Sequence, residues 1–115
     1  MKRYQLQRAK GWRKPEGAVK CDRTTKWGNP AKVGGKFMGL PVRDQRHAAS
    51  LYLGFAPQNP NLVAAAQAEL PGRDLACWCR LCELHRDGKP LLEDCPYCAP
   101  CHVDTLGKIA NGVLP

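Results

Sequence analysis

Six of the chain's seven cysteines fall between residues 77 and 101, in CWCRLCELHRDGKPLLEDCPYCAPC, and this run limits the fold more than any other feature. An odd number of cysteines cannot all pair within one chain. The N-terminal stretch MKRYQLQRAKGWRK also lacks the apolar core of a secretory signal, so a reducing, cytoplasmic setting is expected. There, clustered cysteines serve as metal ligands or reactive thiols. A lone buried thiol is an ordinary core residue, but six within 25 residues are not. A chain of 115 residues is one α/β domain, residues 1–115, small enough to benefit from a metal staple.

Zinc takes four nitrogen or sulfur ligands in a tetrahedron, and a C-x-x-C or C-x-x-H turn supplies two at once. Two such pairs occur, Cys82 with His85 and Cys95 with Cys98, separated by a segment that contains the turn Asp87-Gly88-Lys89-Pro90. They predict a zinc knuckle at about 80–99 with those four ligands, and Cys101, three residues after Cys98, is the alternative to His85. Cys77 and Cys79 are two apart on an expected strand and so share a face. That spacing is unusual for structural zinc, and Cys77 reads as a small core residue.

Charge is unevenly spread. Residues 1–47 carry 13 Lys/Arg against 3 Asp/Glu, a net of +10, whereas residues 48–115 carry 5 against 7, a net of −2. A basic N-terminal half suits a polyanionic partner, either nucleic acid or a phosphorylated nucleotide. Lys10, Arg13 and Lys14 in the turn-rich KGWRKPEG segment, with Trp12 among them, are candidate contacts. No apolar run of about 18 residues exists, so no membrane partner is expected.

Along the chain, residues 4–9 and 18–21 permit short strands, and residues 22–41 read as a long Gly/Pro-rich loop of the kind that carries function. From Asp44 the pattern turns helical: Ala48, Leu51, Tyr52 and Phe55 fall on one stripe that ends at Pro57. Asn59-Pro60 caps a second helix, stopped by Pro71-Gly72. DLACWC, residues 74–79, suits a buried strand, and His102 to Ala110 a last helix stopped by Asn111-Gly112. The order predicts a small α/β sandwich with a short, mostly parallel sheet.

Three stretches, GWRKPEGAVKCDRTTKWGNP, LPGRDLACWC and PCHVDTLGKIAN, together resemble the bacterial and bacteriophage family known as domain of unknown function 4326. In that family's pattern the CWC strand leads after a few residues to the CH-x-D helix; here Arg80 to Ala99 intervene. The resemblance implies a Rossmann-like core, and it divides the cysteines into an inserted knuckle and a family-type constellation of Cys79, Cys101, His102 and Asp104. It implies no activity.

Ligands of open α/β sheets bind beyond the carboxyl ends of the strands. That rule brings the Cys21-to-Asn29 loop against Cys101-His102. Arg23, Thr24, Thr25 and Lys26 would contact phosphate or sugar, Trp27 would stack on a base, and Asn29 would line the approach. Cys101 at a helix start, beside His102 and Asp104, offers a thiol, an acid/base and a carboxylate. The leading expectation is a zinc-containing protein that binds nucleic acid or a phosphorylated nucleotide. The alternatives are an enzyme acting on a nucleotide or nucleoside, for instance at an N-glycosidic bond, through catalytic Cys101, His102 and Asp104, and a zinc-stabilised interaction module.

Overall fold

The computed structural model describes residues 1–22 and 24–113. Arg23, among the expected contacts, lies outside the described residues. Three helices form where the sequence places them. The helix α1 (Gln45–Phe55) starts at Asp44, whose carboxylate accepts the His47 amide at 2.8 Å, and α2 (Pro60–Glu69) starts at Asn59, whose side-chain oxygen accepts the Leu62 amide at 3.3 Å. α3 (His102–Ala110) is capped by Cys101 and is buried at seven of its nine positions. It packs on both other helices and on the sheet, so it is the centre of the core.

The strands are β1 (Lys2–Gln5), β2 (Val19–Lys20), β3 (Lys36–Phe37), β4 (Leu40–Pro41), β5 (Leu75–Cys77) and β6 (Lys89–Pro90). Four of them make a sheet in the order β2-β5-β1-β6, with β2, β5 and β1 parallel and β6 antiparallel to β1. The other two pair as an antiparallel ribbon. The expected Rossmann-like sandwich with a mostly parallel sheet is therefore corrected: the main sheet is mixed and a second sheet is wholly antiparallel. The fourth strand comes from within the cysteine segment, where Lys89-Pro90 carries no strand signal, and its proline is tolerated because β6 is an edge.

The two faces of the main sheet are covered differently. Leu75 and Cys77 pack under the helices, while Ala76 faces Leu6, Ala18, Tyr4 and Trp12 of the first strand and the loop after it. A doubly wound sheet needs helices on both faces, but the β1–β2 connection contains none. No helix among the described residues is long and apolar enough to cross a membrane.

The ribbon turns through Met38 and Gly39 at φ 51° and 83°, both left-handed, as a two-residue hairpin turn of the favoured hand requires. Phe37 anchors it, its ring edge-on to Phe55 of α1 with centroids 5.4 Å apart. Met38 is 85% exposed and gains nothing from packing to offset its backbone conformation. Met38→Asn is expected to raise stability by about 0.5–1 kcal/mol, because asparagine adopts this conformation more readily. A urea midpoint that does not rise would show that the turn holds no such strain.

Candidate functional site

Between β5 and α3 the chain forms a small loop-rich unit with a cluster of thiols at its centre. Cys82, His85, Cys95 and Cys98 place their ligand atoms within 4.8 Å of one another. Cys82 Sγ lies 3.2 Å from His85 Nδ1 and 3.8 Å from Cys95 Sγ, and Cys98 Sγ lies 3.5 Å from His85 Nδ1. A tetrahedron built on Zn–S of about 2.3 Å and Zn–N of about 2.0 Å has S···S edges of about 3.8 Å and S···N edges of about 3.5 Å. The group therefore has the size and donor set to hold a metal. Backbone amides point at it as well: Cys82 N–H donates to Cys98 Sγ at 3.3 Å. Burial pushes the Cys95 thiol up, but hydrogen bonds from the Tyr97 and Cys98 amides and the neighbouring thiols outweigh that and bring it down to about 6. His85 belongs to this group and Cys101 does not.

Cys101 instead joins Cys77 and Cys79, again with all ligand atoms within 4.8 Å; Cys77 Sγ and Cys101 Sγ are 3.2 Å apart. Cys79 and Cys101 meet as the family-type constellation implies, and Cys77, buried in the core as expected, joins them. The strand ends at Cys77 and the chain bends through Trp78 and Cys79, which lets two same-face thiols converge on the cap of α3. Hydrogen bonds from Cys101 and Cys79 hold the Cys77 thiol well below the ordinary range, while burial pushes Cys101 well above it.

A buried ion network underlies both clusters. Arg3 on β1 is fully buried and its Nη1 donates to Asp104 Oδ2 at 2.9 Å. Its Nη2 donates to the carbonyls of Cys79, Arg80 and Ala99 at 3.5, 3.3 and 2.8 Å. Lys89, opposite Arg3 in the β1–β6 register and 2% exposed, reaches Asp104 Oδ1 at 3.1 Å. Two cations side by side would repel, and Asp104 lies between them. Burial works against the charge on Arg3, but Cys101, Asp104, Cys77 and Cys79 more than compensate and raise its pKa.

The thiols of the second cluster line a cleft of about 800 Å³ at the carboxyl ends of β2 and β5. Its mouth carries Arg8, Lys20, Asp22 and Trp78. Trp78 is 42% exposed, its Nε1–H donates to Asp22 Oδ2 at 3.1 Å, and the Arg8 guanidinium lies 4.9 Å from its ring centroid. Partial burial pushes the Asp22 carboxyl up, but hydrogen bonds from Thr24 and Trp78, helped by Lys20, bring it to about 2.

The expected site residues divide accordingly. Cys101 and His102 do line the cleft with Cys21, Asp22, Thr24 and Asn29. His102 Nε2–H donates to the Trp27 carbonyl at 2.8 Å, leaving Nδ1 as an acceptor 3.7 Å from Cys101 Sγ; burial lowers its pKa and keeps the ring neutral. Asp104 is not brought to His102: two residues on, it faces another side of the helix and is held by Arg3 and Lys89. Trp27 does not present its ring to a base, since it is buried in the core with Lys26 over it at 4.8 Å, and Lys26 is itself paired with Glu69 at 2.7 Å. Asn29 bridges Ala48 and Ala31, and Thr25 bonds the Lys20 and Asp22 carbonyls, so both are spent on the loop's own structure. Trp12 packs on the far sheet face, and Lys14 donates to the Ala18 carbonyl. Lys10 and Arg13 are exposed on that loop.

Residues 4–112 match the family described as Domain of unknown function (DUF4326). The chain belongs to that family. Searches of curated proteins and of solved structures found no match. Within this family member, the residues that sequence reasoning missed are Arg3, Arg8, Lys20, Trp78 and Lys89. Only Trp78 had a usable signal, since alternation along CWC sets it on the face opposite the two thiols.

The ion network yields a prediction. Asp104→Asn leaves Arg3 and Lys89 buried without their anion and is expected to cost about 3–5 kcal/mol. The measurement is a denaturant melt; a loss under about 1 kcal/mol would show that solvent, not Asp104, balances those charges.

Proposed function

We propose that the protein is a zinc-stabilised nucleotide-binding module: one α/β domain over residues 1–115, carrying a zinc knuckle at about 80–99 and binding a phosphorylated nucleotide in its cleft. The observation that carries this reading is the half-exposed Trp78 ring at the mouth of an 800 Å³ cleft, with Arg8 over its face and the Lys20–Asp22 ion pair at its Nε1 edge. That volume falls within the range of small-molecule sites. Trp78 offers an apolar face for a base, Arg8 and Lys20 supply charge for phosphate, and Asp22, ionised at any ordinary pH, accepts hydrogen bonds from sugar hydroxyls. Roles first expected of Trp27 and Thr25 pass to these neighbours. The exposed cations Lys10 and Arg13 lie on the loop that also carries Arg8, where they add to the field that draws in an anion.

In the knuckle, zinc would be held by Cys82, His85, Cys95 and Cys98. Its contribution there is cohesion: a segment with little apolar surface of its own folds around the ion. The shielded thiols, Cys98 buried and Cys82 and Cys95 half-buried, and the amides aimed at them support that assignment.

Two measurements test the proposal. Removing metal with a strong chelator, or replacing Cys95 with Ser, is expected to lower the melting temperature and release one zinc per chain from this group, read by thermal melts and native mass spectrometry. A melting temperature indifferent to chelation would refute a stabilising ion. Titrating nucleoside mono- and triphosphates against tryptophan fluorescence is expected to show saturable binding that Arg8→Ala weakens about tenfold or more, the range for a charge-assisted hydrogen bond. Absence of nucleotide binding, together with steeply salt-dependent binding of single-stranded oligonucleotides, would move the function to the basic loop instead.

A further inference from the structure

We propose that Cys77, Cys79 and Cys101 form a second metal site, for a thiophilic divalent ion of the zinc type, whose fourth coordination position opens onto the cleft. This goes beyond the knuckle, which the four ligands Cys82, His85, Cys95 and Cys98 complete by themselves.

Three observations converge. The first is geometric. Three sulfurs from two different elements, the end of β5 and the cap of α3, lie within 4.8 Å of one another, and the 3.2 Å between Cys77 Sγ and Cys101 Sγ needs to open by only about half an ångström to reach a tetrahedral zinc–thiolate edge. The second is charge. Arg3 and Lys89 bring two buried positive charges against the single negative charge of Asp104, and Arg3 Nε–H is buried without a partner. A divalent ion with three thiolates carries one net negative charge, which balances that excess. The third is the amide field: Val103 N–H donates to Cys101 Sγ at 3.5 Å at the first turn of α3, where backbone donors favour an anion.

The ligand count decides the type of site. No fourth Cys, His, Asp or Glu belongs to this group among the described residues: His102 Nε2 is committed to the Trp27 carbonyl, and its Nδ1, though 3.7 Å from Cys101 Sγ, does not come within 4.8 Å of all three sulfurs. Three protein ligands and an open position characterise zinc sites that bind or activate something, whereas four closed ligands characterise structural ones. Cys77 and Cys101 are buried and Cys79 is half-buried, and all three line the cleft wall, so the open position faces whatever enters. Water fills it at rest, and an anionic oxygen, such as that of a phosphate, is the donor the surrounding cations favour. That last step rests on the cleft reading of the proposed function, but the existence of the metal does not.

The test is a metal count on the intact chain, prepared with reductant and without oxygen. Native mass spectrometry is expected to find two zinc ions in the wild type, one for each group, and one in Cys79→Ser. Alkylation of the folded wild type is expected to spare the half-buried Cys79 until a chelator removes the metal, which decides the matter even where the variant folds poorly. With cobalt in place of zinc, inorganic phosphate is expected to shift the visible bands of the wild type and to leave those of Cys79→Ser unchanged. One zinc in the wild type, with Cys79 alkylated equally before and after chelation, overturns the site. So does a second wild-type sample, purified without reductant, that is two hydrogens lighter with Cys77 and Cys101 joined in its peptide map, since that makes the two a redox pair. Two zinc ions with no response to phosphate remove the open position and leave a closed structural site. Nucleotide binding can fail without altering any of these counts, so the two proposals fail separately.

Discussion

The guanidinium of Arg3 is the point on which the rest of the structure depends. It lies at the middle of the sheet, under α3, with no exposure to water, and each of its contacts ties together parts of the chain that are far apart in sequence. Through Asp104 it fixes the first turn of α3. Through the carbonyls of Arg80 and Ala99, themselves linked by an amide hydrogen bond of 2.8 Å, it closes the neck of the cysteine segment. A buried cation is destabilising unless paired, so this arrangement contributes less to net stability than to specifying one geometry. Its effect is to place Cys79, just before that neck, and Cys101, just after it, at the same spot.

That closure explains why the cysteines segregate into two groups. The segment from Arg80 to Ala99 leaves and returns at one point, so thiols inside it can only meet one another, and thiols at its base can only meet each other and the strand end. Spacing alone suggested that Cys101 competes with His85 for one ion. Topology sets the two apart, because Cys101 lies beyond the neck and caps a helix packed against β5.

Much of the local structure was legible in the sequence. Asp44, Asn59 and Asn111-Gly112 mark helix ends by side-chain and backbone chemistry that acts within a few residues, and those ends were placed correctly. The grouping of Cys82, His85, Cys95 and Cys98 was likewise readable, since paired C-x-x-C/H turns carry their own geometry. Long-range pairing was not. The antiparallel β6 joins the sheet through two residues, Lys89 and Pro90, with no strand propensity, and it is there because Lys89 balances Asp104 beside Arg3. No pattern within the segment encodes that contact, and without it the sheet reads as mostly parallel. The burial of Trp27 was missed for a related reason: a Gly/Pro-rich loop gives no period from which to tell a core anchor from an exposed ring.

The cleft follows from the same asymmetry that defeated the Rossmann-like reading. Helices cover only one sheet face, and the other is closed by a basic loop that returns over the carboxyl ends of the strands. The loop sets Arg8 against Trp78 on one side of the sheet edge, while Cys77 and Cys79 turn to the other side beneath α3. The end of β5 and the bend after it, Cys77 to Cys79, thus present an aromatic ring and a thiol pair to the same opening. A ligand entering there meets a flat apolar surface and cations first, and sulfur at the back. With helices on both faces, the space that Arg8 and Trp78 occupy would be filled by packing. The shallow two-layer architecture is what leaves a sheet edge open to chemistry in so short a chain.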